Sequence, residues 1–452
     1  MRLNARQVRD AAAIAEAWIR NHAFLAETPS VAYAISHRGS PVLTGAWGVA
    51  DIASGAVATE HTGFRVASIT KTFTATLIMQ LVERGKVRLD DPVTSYLSWI
   101  KPSVEGSGLT VRHLLTHSGG IIRDGSCGWR HGEFPSREQL HLELSQRAMF
   151  AEPAVGFRYS NMAYALLGEI VEATTGRQFA KAIDRSIAKP LGLEESGTWL
   201  SPRLRSTLAT GYSRRIPGEE RRPEPPSEAA AFEPAGGLIS TVGDLLAYQQ
   251  AHFPGDTRLL SDLSKREMQR AQWMRSEEPH HGYGWMIWTV DGIALRGHSG
   301  GYPGFVTRIG FSPDLQLAAA VLTNTIGYLP GAALDVIFHT IARVHAIWDD
   351  AAATSHGLTR ASLGRFTGLY RGDWGDVIIG RVNNSLYLIQ PAEDRPMRLP
   401  SRLSAVDEPG RFLIVDHDDY GHRGEEITFE LDEASRVQVL RYGRHAMRPV
   451  AG

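Results

Sequence analysis

The sequence predicts an α/β body of about 350 residues followed by an all-β domain of about 90 residues. Three observations carry that prediction. Period-two alternation at 30–51 and again between 283 and 322 signals strands, while helical periodicity at 68–84, 161–175 and 331–347 signals helices. A polar stretch at 349–358 then breaks the pattern. Beyond it come only short alternating runs split by turn residues.

Composition agrees with this and narrows it. The 452 residues are 43% hydrophobic and 21% charged, ordinary globular usage that excludes a disordered, collagen-like or coiled-coil chain. A net charge of −1 argues against nucleic acid as a partner, because phosphate binding needs a basic face. One cysteine, Cys127, excludes an internal disulfide and leaves nothing for a thiolate metal cluster.

The elements follow in order. Residues 5–21 read as an amphipathic helix with Val8, Ala12, Ile14, Ala15 and Trp18 on or near one face. No apolar run of the roughly 7–15 residues of an export signal follows Met1. No stretch approaches the ~18 apolar residues of a membrane span. The expectation is a soluble, cytoplasmic chain with no membrane partner. Residues 30–51 read as a hairpin turning at 37–41. The helix at 68–84 shows Ile69, Phe73, Leu77, Met79 and Leu81 on a broad apolar face, closed by Gly85. The helix at 161–175 ends at Gly176. Residues 213–235, rich in Pro, Arg and Glu, are too long for an ordinary connection and predict a lid or mobile surface loop. Strands are expected at 283–289, 293–297 and 304–322, the last turning at Ser312-Pro313-Asp314. The runs DVIIGRV, SLYLIQP, RFLIVD, EITFEL and VQVLRYG predict a small antiparallel barrel. The expected boundaries are 1–350, a linker at 351–358, and 359–452.

Lysine is scarce: 6 of the 48 basic residues. Three of the six, Lys71, Lys101 and Lys189, close a Ser-x-x-Lys pattern beginning at Ser68, Ser98 or Ser186. Lys101 and Lys189 precede proline, which predicts a non-helical lysine at a helix end. Ser68 instead opens a long apolar helix, and Lys71, three residues on, shares its face. A serine hydroxyl is a poor nucleophile until a neighbouring base takes its proton, and a desolvated amine near positive charge can be that base. The plainer alternative is an N-cap serine with a solvated lysine. A second element, Tyr159-Ser160-Asn161, precedes the helix at 161–175. A phenol near cations is expected to be depressed toward a general-base pKa, and Asn161 can accept from Lys71 and donate to a substrate carbonyl. Here the alternative is a core tyrosine before an ordinary helix cap. A third, His-x-Gly, is read at His37, His117, His298 and His422. His37 and His422 fall in expected hairpin turns. His117 reads as structural. His298-Ser299-Gly300-Gly301 has glycines that let backbone approach a ligand. There the Gly301 N–H could pair with that of Ser68 as an oxyanion hole.

Taken in this order, the three elements resemble the serine β-lactamase and penicillin-binding-protein superfamily. The chain looks like the class C, DD-peptidase, esterase and D-aminopeptidase branch, in which Tyr replaces the first Ser of the second motif. His298 stands where most members carry the lysine of the third. The stretches GFRVASITKTFTA, VRLDDPVTSYL, LTVRHLLTHSGG and AGGLISTVGDLLAY are also similar to that branch, and the likeness covers residues 25–345. It implies an antiparallel sheet flanked by helices with an all-helical subdomain. It implies that Ser68 is acylated, that Lys71 and Tyr159 share base duty, and that Asn161 orients Lys71 and substrate. His298 would shape the third wall and help a proton reach the leaving group. Ser68 and Gly301 would hold the oxyanion, and Ser299, Gly300 and Tyr302 the substrate. No cofactor and no metal are implied.

With a lipocalin-like domain following, the chain most resembles penicillin-binding-protein-type thioesterases, which cyclise nonribosomal peptides. That implies a peptidyl thioester, ester or amide ending in a D-residue or Gly, delivered by a carrier-protein domain of a nonribosomal peptide synthetase. The alternative is an intracellular D-stereospecific peptidase, amidase or esterase, with water as second nucleophile. A non-catalytic sensor is disfavoured by the intact set. In similar enzymes the barrel packs over the cleft, so Arg441 and Arg444 become candidates to pair with a peptide carboxylate or carbonyl. Solvated arginines on a β edge are the alternative. Trp129, Tyr302 and Trp374 are candidates to line an apolar cleft. The segment 416–422 carries metal-type ligands but reads as a polar hairpin.

Overall fold

A computed structural model of the chain describes residues 1–100, 108–147, 153–274, 279–327, 329–352, 358–392, 395–398, 400–406, 408–416 and 423–450. Lys101, the centre of the expected linker (353–357) and the turn segment 417–422 with His422 lie outside the described residues.

The strands of the body are β1 (Ser30–His37), β2 (Ser40–Asp51) and β3 (Ala56–Val57), the short pair β4 (Phe64–Arg65) and β5 (Ile239–Ser240), then β6 (His280–His281), β7 (Met286–Val290), β8 (Ile293–Tyr302), β9 (Phe305–Ser312) and β10 (Leu317–Thr323). All but β4 and β5 join one antiparallel sheet ordered β3-β2-β1-β10-β9-β8-β7-β6. The pairing of β1 with β10 sets the N-terminal hairpin against the last strand of the body.

Alternation decides the two faces. Val31, Tyr33, Ile35, Leu317, Ala319 and Val321 point to one side, under α1 (Ala5–Leu25) and the helix Leu329–Ala346. Ala32, Ala34, Ala318, Ala320 and Leu322 point to the other, under the helix Val242–Gln250, in the core that also holds α2 (Thr70–Glu83) and the helix Asn161–Thr175. With both faces covered, β1 is buried along its whole length. α1 is capped by Asn4, whose side chain accepts from Arg6 N and Gln7 N while Gln7 returns a bond to Asn4 N. It buries Val8, Ile14, Trp18 and Ile19, each worth roughly 1.5–3 kcal/mol of apolar transfer. α2 is buried all round from Thr70 to Leu81, not on one face only. Its threonines make that possible: Thr72 Oγ1 donates to Ile69 O, Thr74 Oγ1 to Pro234 O and Thr76 Oγ1 to Thr72 O.

The C-terminal strands β11 (Gly368–Gly372), β12 (Gly375–Val382), β13 (Ser385–Ile389), β14 (Ser401–Ala405), β15 (Arg411–Asp416), β16 (Glu426–Leu431), β17 (Val437–Tyr442) and β18 (His445–Pro449) close into a barrel. Phe366, Tyr370, Leu386, Leu403, Phe412 and Phe429 fill its interior. Leu369, Ile378, Val382 and Tyr387 on its outside share a core with α1 and the helix Leu329–Ala346. Gly380 lies so close to α1 that a Cβ there would meet Ile14 at 2.8 Å. Asp10 of α1 is 3% exposed and accepts from Arg360 and from Asn383 N. The barrel is therefore docked on the face of the sheet opposite α2. That corrects the expectation that it packs over the cleft: the apolar stripe of α1 is what covers its outer wall.

Two further expectations change. Lys189 is helical (φ −60°, ψ −47°) despite the following proline. A π-turn over Asp184–Ala188 loosens the ladder just ahead of Pro190, so the ring is accommodated and the helix runs on to Leu191. Residues 213–235 are tied down rather than loose. Arg221 donates to Glu27 O, Ala26 O, Ser213 O and Thr325 Oγ1, and Arg215 pairs with Glu27 at 2.6 Å. Among the described residues no helix is long and apolar enough to cross a membrane.

Candidate active site

Ser68 sits in a 3-10 turn, Ala67–Ile69, that leads into α2. Ala67 just before it is held at φ +48°, a left-handed conformation that costs a non-glycine residue on the order of 1 kcal/mol or more. The turn leaves Ser68 half-buried and facing a cleft of about 1090 Å³. Lys71, one turn on, is fully buried. Its Nζ lies 3.1 Å from Ser68 Oγ, 2.6 Å from Asn161 Oδ1 and 2.7 Å from Ala235 O. Burial drives its pKa well below the usual lysine value, with Asp124 opposing and Arg123 adding to the fall.

The helix Asn161–Thr175 begins with Ser160 as its N-cap, whose Oγ accepts from Ala163 N. Asn161 thereby projects from the first turn toward Lys71. The orientation of its amide follows from its neighbours. Its Nδ2 donates to Asp124 Oδ1, a pure acceptor, so Oδ1 must face Lys71. Tyr159 stands on the turn before, with its ring centroid 5.0 Å from Lys71 Nζ and 5.5 Å from the Arg123 guanidinium. Burial raises the phenol pKa above the usual tyrosine value. The Ser68 hydroxyl and Arg123 oppose that rise without cancelling it. The expectation of a depressed phenol is thus reversed: desolvation outweighs the nearby cations.

His117 holds this turn. It is 3% exposed, sits at φ +57°, accepts at Nδ1 from Ser160 N (3.1 Å) and at its carbonyl from Arg158 N (2.7 Å). Its ring lies 4.4 Å from that of Tyr159. The structural reading of His117 agrees with this placement.

His298 comes from β8. Here the register matters. β7 pairs with β8 only from Ile293 to Gly297, so the edge of β8 from 298 onward is left open and runs beside the Ser68 turn. Gly300 is pressed against that turn, and a Cβ there would lie 2.1 Å from Val66 O. His298 Nδ1–H donates to Ser299 O at 2.6 Å, leaving Nε2 as an acceptor. Burial, with Lys71 nearby, pushes the His298 pKa well down. Ser299, Gly301 and Tyr302 line the cleft, while Gly300 lies behind it. Ser68, Lys71, Tyr159, Asn161 and His298 are thus brought together.

Arg441 and Arg444 are not. Both are exposed on the barrel, Arg441 paired with Glu430, and neither lines the cleft. The reason is the docking of the barrel on the far face of the sheet. Trp374 is 87% exposed on the barrel and also stands apart, whereas Trp129 lines the cleft. Four contributors went unread in the sequence: Arg123, Asp124, His281 and the carbonyl of Ala235. His281 belongs to a His-x-Gly of its own at 280–282, which was a usable signal. Ala235 opens the AGGLIS stretch.

Comparison with known proteins agrees with this geometry. The beta-lactamase family matches residues 15–339. The D-alanyl-D-alanine-carboxypeptidase/endopeptidase AmpH of Escherichia coli is 27% identical over 280 residues, covering 58% of this chain and 70% of that protein. The esterase EstB of Burkholderia gladioli is 30% identical over 339 residues, covering 64% and 84%. The octameric penicillin-binding protein homologue of Pyrococcus abyssi superposes with a TM-score of 0.65 at 25% identity, over 96% of this chain and 98% of that one. With the family match spanning most of the body and serine, lysine, tyrosine and asparagine converging on one cleft, the chain belongs to the beta-lactamase family, as a serine hydrolase/acyltransferase of the penicillin-binding-protein type.

Proposed function

We propose that Ser68 is acylated by a peptidyl thioester, ester or amide and that the peptide's own terminal amine releases it, giving a head-to-tail macrocycle. One observation carries the acyl-enzyme step. Lys71 Nζ has three neighbours, of which Asn161 Oδ1 and Ala235 O can only accept. A neutral amine has two N–H bonds. Both go to those acceptors, and the lone pair is left aimed at Ser68 Oγ. Burial supplies the neutral form.

The chemistry then balances. Ser68 Oγ attacks the acyl carbon while its proton passes to Lys71. The Ser68 and Gly301 N–H groups hold the oxyanion. The tetrahedral adduct collapses, the bond to the leaving group breaks, and that group takes the proton back, directly or through the Tyr159 hydroxyl. The incoming amine repeats the sequence in reverse: it bonds to the acyl carbon and gives its proton to Lys71, which passes it to Ser68 Oγ as the ester bond breaks.

The roomy cleft, with Trp129, Phe157, Tyr302 and Ile326 among its walls, supports a folded peptide with its amine brought back to the ester. The resemblance to peptide-cyclising thioesterases supports the same reading, with a carrier-protein domain as donor and the cytoplasm as the place of action. The names of AmpH and EstB favour a second reading, hydrolysis of the same acyl-enzyme. The test is a peptidyl thioester with a D-residue at its C-terminus, followed by mass. Loss of thiol alone gives the cyclic mass and supports cyclisation. Mainly linear acid refutes it in favour of hydrolysis. Equal labelling of wild type and Ser68→Ala by an acylating probe refutes both.

A further inference from the structure

We infer that Trp129 gates the open edge of β8, by occupying the backbone acceptor that an amide N–H of the substrate's acyl group would take. The inference rests on the acyl-enzyme reading above.

Along a strand, the N–H and C=O of one residue point to the same side, and the side alternates residue by residue. Tyr302 and Phe305 face each other across the two-residue turn between β8 and β9. Tyr302, Gly300 and His298 therefore direct their backbone groups at β9, while Ser299 and Gly301 direct theirs outward. β7 ends opposite Gly297, so among the described residues no strand covers those outward groups. An open edge of this kind is a template for an extended peptide.

Yet both outward carbonyls are already taken, each by a ring N–H. Ser299 O accepts from His298 Nδ1 at 2.6 Å, and Gly301 O accepts from Trp129 Nε1 at 2.9 Å. The second donor is not local. It comes from the 3-10 turn Trp129–His131, 172 residues earlier in the chain, and Trp129 lines the cleft. Its ring is seated over Gly236, where a Cβ would approach it to 2.5 Å, and against Phe134 at 4.9 Å between centroids. The edge thus offers N–H donors to an acyl carbonyl, whereas an amide N–H meets only carbonyls that already hold a ring N–H and competes with it for the oxygen. A peptidyl group carries such an N–H on its terminal residue and competes with the indole for Gly301 O. An acyl group without one docks with the indole in place. Trp129 is therefore a specificity-determining residue.

The test uses Trp129→Phe, which keeps an aromatic ring and deletes the N–H. Two thioesters of N-acetylcysteamine serve as probes. One carries N-acetyl-D-phenylalanine; the other is its depsi analogue, with an ester oxygen in place of the amide N–H. The readout is the ratio of their acylation kcat/KM values. Freeing Gly301 O raises that ratio by about five- to tenfold in favour of the amide, the range of one net hydrogen bond. A ratio that stays put or falls overturns the gate. General damage from the substitution slows both probes and leaves the ratio readable. If wild type forms no acyl-Ser68 with either probe, the proposed function fails and the gate falls with it. If both acylate and the ratio does not move, only the gate falls.

Discussion

Asp124 touches neither substrate nor Ser68, yet its replacement by Asn is expected to move the pH profile of acylation. It acts on Lys71 in two ways. Its carboxylate accepts from Asn161 Nδ2 and so fixes Asn161 Oδ1 on Lys71. Its negative charge also opposes the fall in the Lys71 pKa. The second effect can be sized. Asp124 lies two hydrogen bonds from Lys71, roughly 6–7 Å, where a full charge at an effective dielectric near 20 is worth about 2–3 kcal/mol. Arg123 pairs with Asp124 at 3.1 Å, and the Asp124 side chain is 26% exposed. Those two facts offset more than half of it, leaving about 1 kcal/mol, or somewhat under one pH unit. The sign is set by which form of Lys71 the charge favours. A carboxylate stabilises the ammonium; without it the ammonium gives up its proton more readily. The neutral base therefore persists to lower pH, and the acid limb of acylation kcat/KM moves down in Asp124→Asn. The plateau drops as well, because an Asn at 124 presents either end of its amide and no longer enforces the orientation of Asn161. The assay is stopped-flow acylation by a p-nitrophenyl ester from pH 5 to 10. An acid limb that stays in place or moves up refutes the reasoning. A loss of thermal stability with an unmoved limb assigns Asp124 to folding alone.

Two further outcomes follow from where the barrel sits. Arg444→Ala is expected to leave both KM and kcat within about twofold, because the side chain is solvated on the barrel and the change touches no buried feature. Steady-state kinetics on a peptidyl thioester check this, and a clear rise in KM would bring the barrel back to the cleft. Asp10→Ala removes the buried acceptor of Arg360 and Asn383 N at the seam between α1 and the barrel. Breaking such a pair costs about 3 kcal/mol. Urea unfolding is expected to show the loss, while active-site titration of the folded fraction still reports one reactive serine per chain.

Much of this fold was legible because its signals are local. The helix Asn161–Thr175 begins and ends where Ser160 and Gly176 mark it. β1 and β2 follow the alternation of 30–51. The barrel follows the alternating runs after 368. Lys189 shows where local rules stop. Proline disfavours a helical predecessor, and here a π-turn just ahead of it lets Lys189 stay helical. The site divides in the same way. Ser68 and Lys71 could be paired from helix geometry alone, and Tyr159 and Asn161 from a single tripeptide. Asp124 and the Ala235 carbonyl could not. Each meets Lys71 or Asn161 from a segment far away in sequence, and a backbone carbonyl leaves no trace in residue identity. Arg441 and Arg444 failed for a related reason. Their place depended on which face of the sheet the barrel covers, and the apolar stripe of α1 decided that.

The division of labour in the site follows from one cause acting on two groups. Burial disfavours charge, so it lowers the pKa of Lys71 and raises that of Tyr159. Both are thereby driven to their neutral forms at neutral pH. A neutral amine can take a proton and a neutral phenol can give one. A base and an acid flanking one hydroxyl serve acylation in turn. On this reading Lys71 opens the reaction and Tyr159 passes the proton to the leaving group. His298 fits the same pattern. Its Nδ1 proton is committed to Ser299 O and its pKa is pushed down, so it offers a lone pair to the cleft and no positive charge. Where a lysine would present a cation to a substrate carboxylate, this chain presents a neutral ring. A peptide whose C-terminal carbonyl is a thioester or ester has no carboxylate to be met there. On the proposed reading, the neutral ring of His298 is compatible with an activated acyl donor, which brings no carboxylate to that wall.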